Sequence, residues 1–168
     1  FANCIEHKEI KPPFLAMVVS GGHTELVQFD TLVSFQIVGK TLDDAAGESF
    51  DKTAKLLGLG FPGGPIIDDL AKNGNPDFIR FPRALPQKDN FNFSYSGLKT
   101  AIRTWLVNQK PEILNDKLPD IAASVQQAII EPLVNKSVLW ARQHKIPYIL
   151  LAGGVAANSA LRKQVTQS

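Results

Sequence analysis

Phe14-Leu15-Ala16-Met17-Val18-Val19-Ser20-Gly21-Gly22-His23-Thr24-Glu25-Leu26-Val27-Gln28-Phe29 is the stretch that decides the fold. Its first six residues form a near-continuous apolar run, as a strand buried on both faces requires. Ser20 to His23 read as a turn, and from Thr24 onward apolar and polar residues alternate as in a second strand. Asp30-Thr31 makes another turn, and a third strand is expected over residues 33–38. Strands this short joined by turns this tight form an antiparallel meander.

Beyond Gly39 the period lengthens. Thr41 and Asp44 have capping-box spacing, and Ala46, Phe50, Ala54 and Leu57 recur as the inner face of a helix that Gly58 would end. A Gly/Pro-rich loop then opens a short helix near residues 66–72. Residues 74–95 hold three prolines and four phenylalanines without a period, an ordered excursion whose aromatics must be buried. A helix carrying Leu98, Ile102 and Leu106 should begin after Ser96. Pro111 and Pro119 bracket a connector, and a long helix spans residues 119–143 with Ile121, Val125, Ile129, Leu133 and Trp140 inward and a kink expected at Pro132. A buried strand over residues 148–152, a Gly153-Gly154 turn and a helix from Val155 complete the chain.

Composition bounds the function. Of 168 residues 44% are hydrophobic and 20% charged, enough for one core. The net charge of +2, from 18 basic and 16 acidic residues, gives no global pull toward nucleic acid or membrane. Cys4 is the only cysteine, so no disulfide framework or CxxC zinc site arises, and a reducing, cytoplasmic setting is the default. No apolar run approaches a membrane span. The first residue is not methionine and the last still read as helix, so the chain is expected to be a piece of something longer, with residues 1–13 a connector from a missing N-terminal subdomain and 14–168 an incomplete domain carrying an insertion over about 74–119.

Two glycine turns follow buried strands. Ser20-Gly21-Gly22-His23-Thr24 links two strands, and Gly153-Gly154 links a strand to a helix. Glycine lets backbone N–H groups approach an anion, and a helix N-terminus adds positive potential; tight turns also favour glycine for its own sake. Asp44, Glu48 and Asp51 form an acidic stripe, either a solvated face or a ligand wall. Gly47, a poor helix former beside Asp43-Asp44, suggests close approach of a ligand or another backbone. The GxGxxG spelling at residues 58–63 follows a helix rather than a strand and is no dinucleotide fingerprint. His23 reads as a turn residue and Ser20 as a poor nucleophile. Phe91-Asn92-Phe93-Ser94-Tyr95 suits either base stacking or burial.

Together these strings resemble the TsaD family of tRNA adenosine threonylcarbamoyltransferases, formerly labelled O-sialoglycoprotein endopeptidases. The resemblance rests on Val18-Val19-Ser20-Gly21-Gly22-His23-Thr24-Glu25-Leu26, on Asp43-Asp44-Ala45-Ala46-Gly47-Glu48 continuing to Gly58, on Phe61-Pro62-Gly63-Gly64-Pro65, on Phe93-Ser94-Tyr95-Ser96-Gly97-Leu98-Lys99-Thr100 and on Ala152-Gly153-Gly154-Val155-Ala156-Ala157-Asn158. It implies an α/β chain of the actin/sugar-kinase/Hsp70 (ASKHA) fold, present in part. It also implies transfer of the threonylcarbamoyl group from threonylcarbamoyl-AMP to N6 of adenosine 37 in tRNAs reading ANN codons. Val18, Val19, Ser20, Gly21 and Gly22 would line the phosphates, Asp51 would hold the ribose hydroxyls with Gly64 and Asp68, and Asn158 would contact the adenosine. The family also implies one divalent metal, iron or zinc, whose HxxxH and Asp ligands are absent from this sequence and expected outside it. It implies ATP, AMP or threonylcarbamoyl-AMP as ligand, and tRNA as partner. A paralogous TsaB-type partner and a TsaE-type ATPase are implied as well, because the His-Thr after Gly22 looks bacterial or organellar. The chain by itself would be inactive. A metallopeptidase and a non-catalytic partner module are the alternatives. Lys72, Arg80, Arg83 and Lys88 suit either tRNA or solvent.

Overall fold

The structure is a computed structural model and describes residues 7–168. Cys4 and the first part of the connector lie outside the described residues. The three-strand meander is present: β1 (Phe14–Val19), β2 (Thr24–Phe29) and β3 (Phe35–Lys40) pair antiparallel, with Val19 opposite Thr24 and Phe14 opposite Phe29. A fourth strand, β4 (Ile149–Ala152), runs parallel to β1, giving a mixed sheet in the order β3-β2-β1-β4. The central place of β1 explains its unbroken apolar run. Leu15, Met17 and Val19 enter the main core, while Phe14 and Ala16 join a smaller cluster on the opposite sheet face.

β3 starts two residues later than expected. Thr31 Oγ1 accepts from Val33 N and Ser34 N, and Asp30 N donates to Ser34 O, so the turn consumes Leu32 and Val33. β4 departs from its reading as a buried strand: it is only partly covered. Among the described residues it pairs with β1 alone.

Six α-helices follow among the described residues: α1 (Ala46–Leu56), α2 (Gly63–Ala71), α3 (Ser96–Val107), α4 (Pro111–Asp116), α5 (Leu118–Gln143) and α6 (Ser159–Thr166). α1 is not capped by the Thr41/Asp44 pair. Thr41 Oγ1 donates to Asp44 O, and the first turn of the helix is bound from the sheet instead: Ala46 N donates to Thr24 Oγ1 at 2.8 Å and Gly47 N to Ser20 O at 3.0 Å. α2 begins three residues earlier than read, because Gly63 N donates to Asp51 Oδ1 at 2.7 Å. The connector between Pro111 and Pro119 contains the short α4, whose first turn tolerates Pro111 because no donor is needed there.

α5 is the central pillar. Ile121, Val125, Ile129 and Leu133 are fully buried, Trp140 is partly so, and the helix continues through Pro132. Residues 72–95 form no helix or strand of their own; Phe81, Phe91, Phe93 and Tyr95 are buried as expected, whereas Phe78 is exposed and packs edge-on to Trp105. Lys136 of α5, itself 9% exposed, holds the excursion by donating to the carbonyls of Leu85, Asn90 and Asn92 at 2.9, 2.6 and 2.6 Å. After β4 comes a 3-10 turn, Gly154–Ala157, before α6 begins.

Candidate functional site

Where the ends of β1 and β4 meet the first turns of α1 and α2, a cleft of about 420 Å³ opens. It gathers Gly21, Asp51, Gly64, Asp68 and Asn158 from segments far apart in sequence, with Gly154 and Val155 closing the β4 side and Lys72 the rim. Of the nine residues expected from the sequence, these five line one hollow. Val18, Val19 and Ser20 stand behind it, and Gly22 lies exposed on the turn beside it. Val19 is buried in the main core and Val18 packs with the cluster on the opposite sheet face. Ser20 Oγ accepts from His23 N at 3.0 Å and Gly22 N at 3.3 Å, so it shapes the turn.

The turn is docked rigidly. Gly47 N donates to Ser20 O, and a Cβ on Gly47 would lie 2.6 Å from that oxygen and 2.8 Å from Gly21 N. The helical glycine is therefore required by the approach of another backbone. Above Gly21 and Gly22 the situation is reversed: a Cβ on either would meet nothing within 4 Å among the described residues. Ala46 N and Gly47 N at the start of α1 are spent on Thr24 and Ser20, so what suits an anion here is the open turn itself, with the partial positive charge of α1 behind it.

The second glycine turn differs from its expectation. Gly153 has φ of +92°, and a Cβ there would sit 2.3 Å from Val19 O, so this residue seals the end of β4 against β1. The helix expected at Val155 is a four-residue 3-10 turn, and α6 starts only at Ser159. Its N-terminal donors are already taken: Ser159 N and Oγ donate to Asp68, and Leu161 N donates to Asn158 Oδ1 at 2.9 Å. Asn158 Nδ2 in turn donates to Gln126 Oε1 at 2.7 Å. This corner therefore offers a fixed, mostly neutral wall, suited to a planar heterocycle, and no strong anion site.

Asp43 and the acidic stripe separate into three roles. Asp43 accepts from Ser94 Oγ, Tyr95 N, Ser96 N and Ser96 Oγ, capping α3 across the fold. Burial pushes its carboxyl upward, but these hydrogen bonds outweigh it and hold the group below its ordinary 3.8. Asp44 and Glu48 share Lys52 at 2.7 and 2.8 Å, away from the cleft. Asp51 alone of the stripe faces the cleft; its Oδ1 holds Gly63 N, which leaves Oδ2 to accept from a ligand.

The aromatics of the excursion are not stacking platforms. Phe91 packs edge-on to Trp140, Phe93 is buried, and Tyr95 donates its hydroxyl to Ile129 O with its phenol pushed upward by burial. Of the four basic residues read as tRNA contacts or solvated groups, Lys72 pairs with Asp69 and Arg83 with Glu131. Sequence reading missed Thr24 as the cap of α1, because a threonine in an alternating strand carries no sign of the helix it will meet. Phe50, Pro62 and Ala157 as cleft walls left no signal either.

Among the described residues, no three histidine, cysteine or carboxylate side chains converge as a metal site, so these residues do not fit the metal that the resemblance implies.

A family model described as TsaD: tRNA N6-adenosine threonylcarbamoyltransferase matches residues 1–168. Proteins described as tRNA N6-adenosine threonylcarbamoyltransferase resemble the chain closely. The one from Chlorobium chlorochromatii is 50% identical over 163 residues, covering 92% of this chain and 47% of that protein. The one from Clostridioides difficile is 47% identical over 166 residues, covering 99% and 49%. That from Chlorobium luteolum reaches 54% over 159 residues, covering 90% and 46%. The chain thus spans about half the length of the curated relatives it matches.

Proposed function

Because the chain belongs to the TsaD family of tRNA N6-adenosine threonylcarbamoyltransferases, we propose that its cleft is the adenylate half of that enzyme's active site. In this reading the whole protein moves a threonylcarbamoyl group from threonylcarbamoyl-AMP to N6 of adenosine 37 in tRNA. The exocyclic amine attacks the carbamoyl carbon, the bond from that carbon to the phosphate oxygen breaks, AMP leaves, and the amine gives up one proton to solvent. The ASKHA fold, tRNA as substrate, a TsaB-type partner, a TsaE-type ATPase and a cytoplasmic setting belong to the same proposal. So do the division at residue 14 and the metal site contributed from outside the described residues.

The observation that carries the reading is the convergence of Gly21, Asp51, Gly64, Asp68 and Asn158 on one cleft. The open turn at Gly21 and Gly22, backed by the α1 N-terminus, receives the phosphate. Asp51 accepts from the ribose hydroxyls through the oxygen that Gly63 N does not use, and Gly64 leaves room for the sugar. The neutral corner at Gly154, Val155 and Asn158 flanks the base. Asp68 and Asn158 act mainly by fixing α6. The chain's residues therefore bind and orient the adenylate so that its acyl carbon is presented in one direction.

Asp51→Asn in the full-length protein tests this. The variant keeps an oxygen for Gly63 N but loses the charge that favours two ribose hydroxyls. A charged hydrogen bond contributes about 1.5–3 kcal/mol, so AMP affinity measured by calorimetry should fall at least roughly tenfold. Threonylcarbamoyl transfer to tRNA should fall with it. Unchanged AMP affinity in a variant that melts like the wild type would refute the assignment of Asp51.

A further inference from the structure

α3 carries no acidic residue. Its solvent face presents Ser96, Lys99, Thr100, Arg103 and Thr104, the repeat of one helical face, and a hollow of about 610 Å³ runs along it. Lys52 of α1 and Asp44 bound the far side, and that lysine is occupied by Asp44 and Glu48. Among the described residues, Lys99 and Arg103 make no ion pair within 4 Å. The face thus carries two cations outside any close ion pair, Lys99 with Glu48 within its electrostatic reach, beside the hydroxyl of Thr104, side chains of the kinds that contact nucleic-acid phosphates. Lys99 and Arg103 lie about 6 Å apart along the helix axis, close to the separation of successive phosphates on one strand.

The position of the face matters as much as its chemistry. Asp51 and Lys52 are adjacent on α1; the first lines the adenylate cleft and the second lines this hollow. A helix is about 10–12 Å thick, so a strand lying along α3 passes within a nucleotide or two of the cleft. We propose that this face of α3 grips the phosphate backbone of the RNA substrate and sets the position of the nucleotide that enters the cleft. Lys99 and Arg103 supply the charge and the Thr104 hydroxyl adds a donor, while the hydroxyls of Ser96 and Thr100 are spent on Asp43 and on Ser96 O. α3 is itself fixed by Asp43, so the grip and the cleft share one rigid frame. The proposal rests on the reading of the chain as part of a tRNA-modifying enzyme.

The test uses the full-length protein with Lys99→Gln/Arg103→Gln, substitutions confined to exposed positions. tRNA binding is followed by fluorescence anisotropy across a salt series, AMP binding by calorimetry, and transfer by steady-state kinetics. The expected result is a loss in tRNA affinity of about tenfold or more. The log–log salt slope should become shallower by roughly 1.4–1.8, the share of two phosphate contacts. KM for tRNA should rise with kcat and AMP affinity retained. Wild-type tRNA affinity and slope in the double variant overturn the proposal and leave the adenylate reading standing; the face would then serve solvent or an acidic protein segment. A wild-type protein, with its partners, that binds AMP but not tRNA overturns both this proposal and the transfer reading.

Discussion

Replacing Gly47 by alanine would drive a methyl group into the backbone of the Ser20–Gly21 turn. The new Cβ would lie 2.6 Å from Ser20 O, 2.7 Å from Ser20 C and 2.8 Å from Gly21 N. All three neighbours are backbone atoms, so no rotamer change relieves the contact. The turn must retreat by roughly 0.7 Å to reach ordinary van der Waals separation, and the 3.0 Å bond from Gly47 N to Ser20 O weakens with it. Overpacking of this kind costs about 1–3 kcal/mol and the lost hydrogen bond about 1, offset by about 1 from the better helix propensity of alanine. A net destabilisation of about 1–3 kcal/mol follows, together with a displaced Gly21 and a drop of tenfold or more in AMP affinity. Urea denaturation and calorimetry on the full-length protein measure both. Gly64→Ala is the stability control, because its Cβ would meet nothing nearer than 4.0 Å. If Gly47→Ala raised stability by about 1 kcal/mol, as alanine does in an unobstructed helix, and left AMP affinity unchanged, the account of the docked turn would be wrong.

Three further outcomes are expected. Asp43 has a depressed carboxyl value in the fold, so its contribution to stability is present above the unfolded value near 3.9 and is lost as pH falls through the folded value. Asp43→Asn should therefore flatten the acid limb of the stability–pH curve, and a limb of unchanged steepness would show that other carboxylates set it. Lys136→Met removes three carbonyl partners of the excursion, and stability should fall by about 2–4 kcal/mol with faster proteolysis across residues 85–92. Wild-type cleavage rates would show that the excursion is held elsewhere. Thr53 Oγ1 is buried and has no hydrogen-bond partner among the described residues, so Thr53→Val, which keeps the shape, should raise stability by up to about 1–2 kcal/mol. A lower denaturation midpoint would imply a partner for that hydroxyl.

The sequence by itself determined the meander, the three longest helices and their inward residues. β1 is an unbroken apolar run, Ala46, Phe50 and Ala54 recur at helical spacing, and Ile121 to Leu133 trace the buried side of α5. These signals are local: strand and helix periods are written in neighbours two to four residues apart. Gly47 also announced a close approach, since a glycine inside a helix needs a reason. Only the tertiary structure decided what approached it, and which carboxylate did what. Asp43, Asp51 and Asp68 look alike in sequence. One caps α3 from 53 residues away, one binds the start of α2 while facing the cleft, and one holds α6 across 91 residues. Thr24 became the cap of α1 by a bond spanning 22 residues, and the second glycine turn led into a 3-10 corner because Asn158 and Asp68 delay α6. Such partners have no characteristic spacing. They are chosen when the sheet and helices pack and each buried backbone donor takes the acceptor brought within reach.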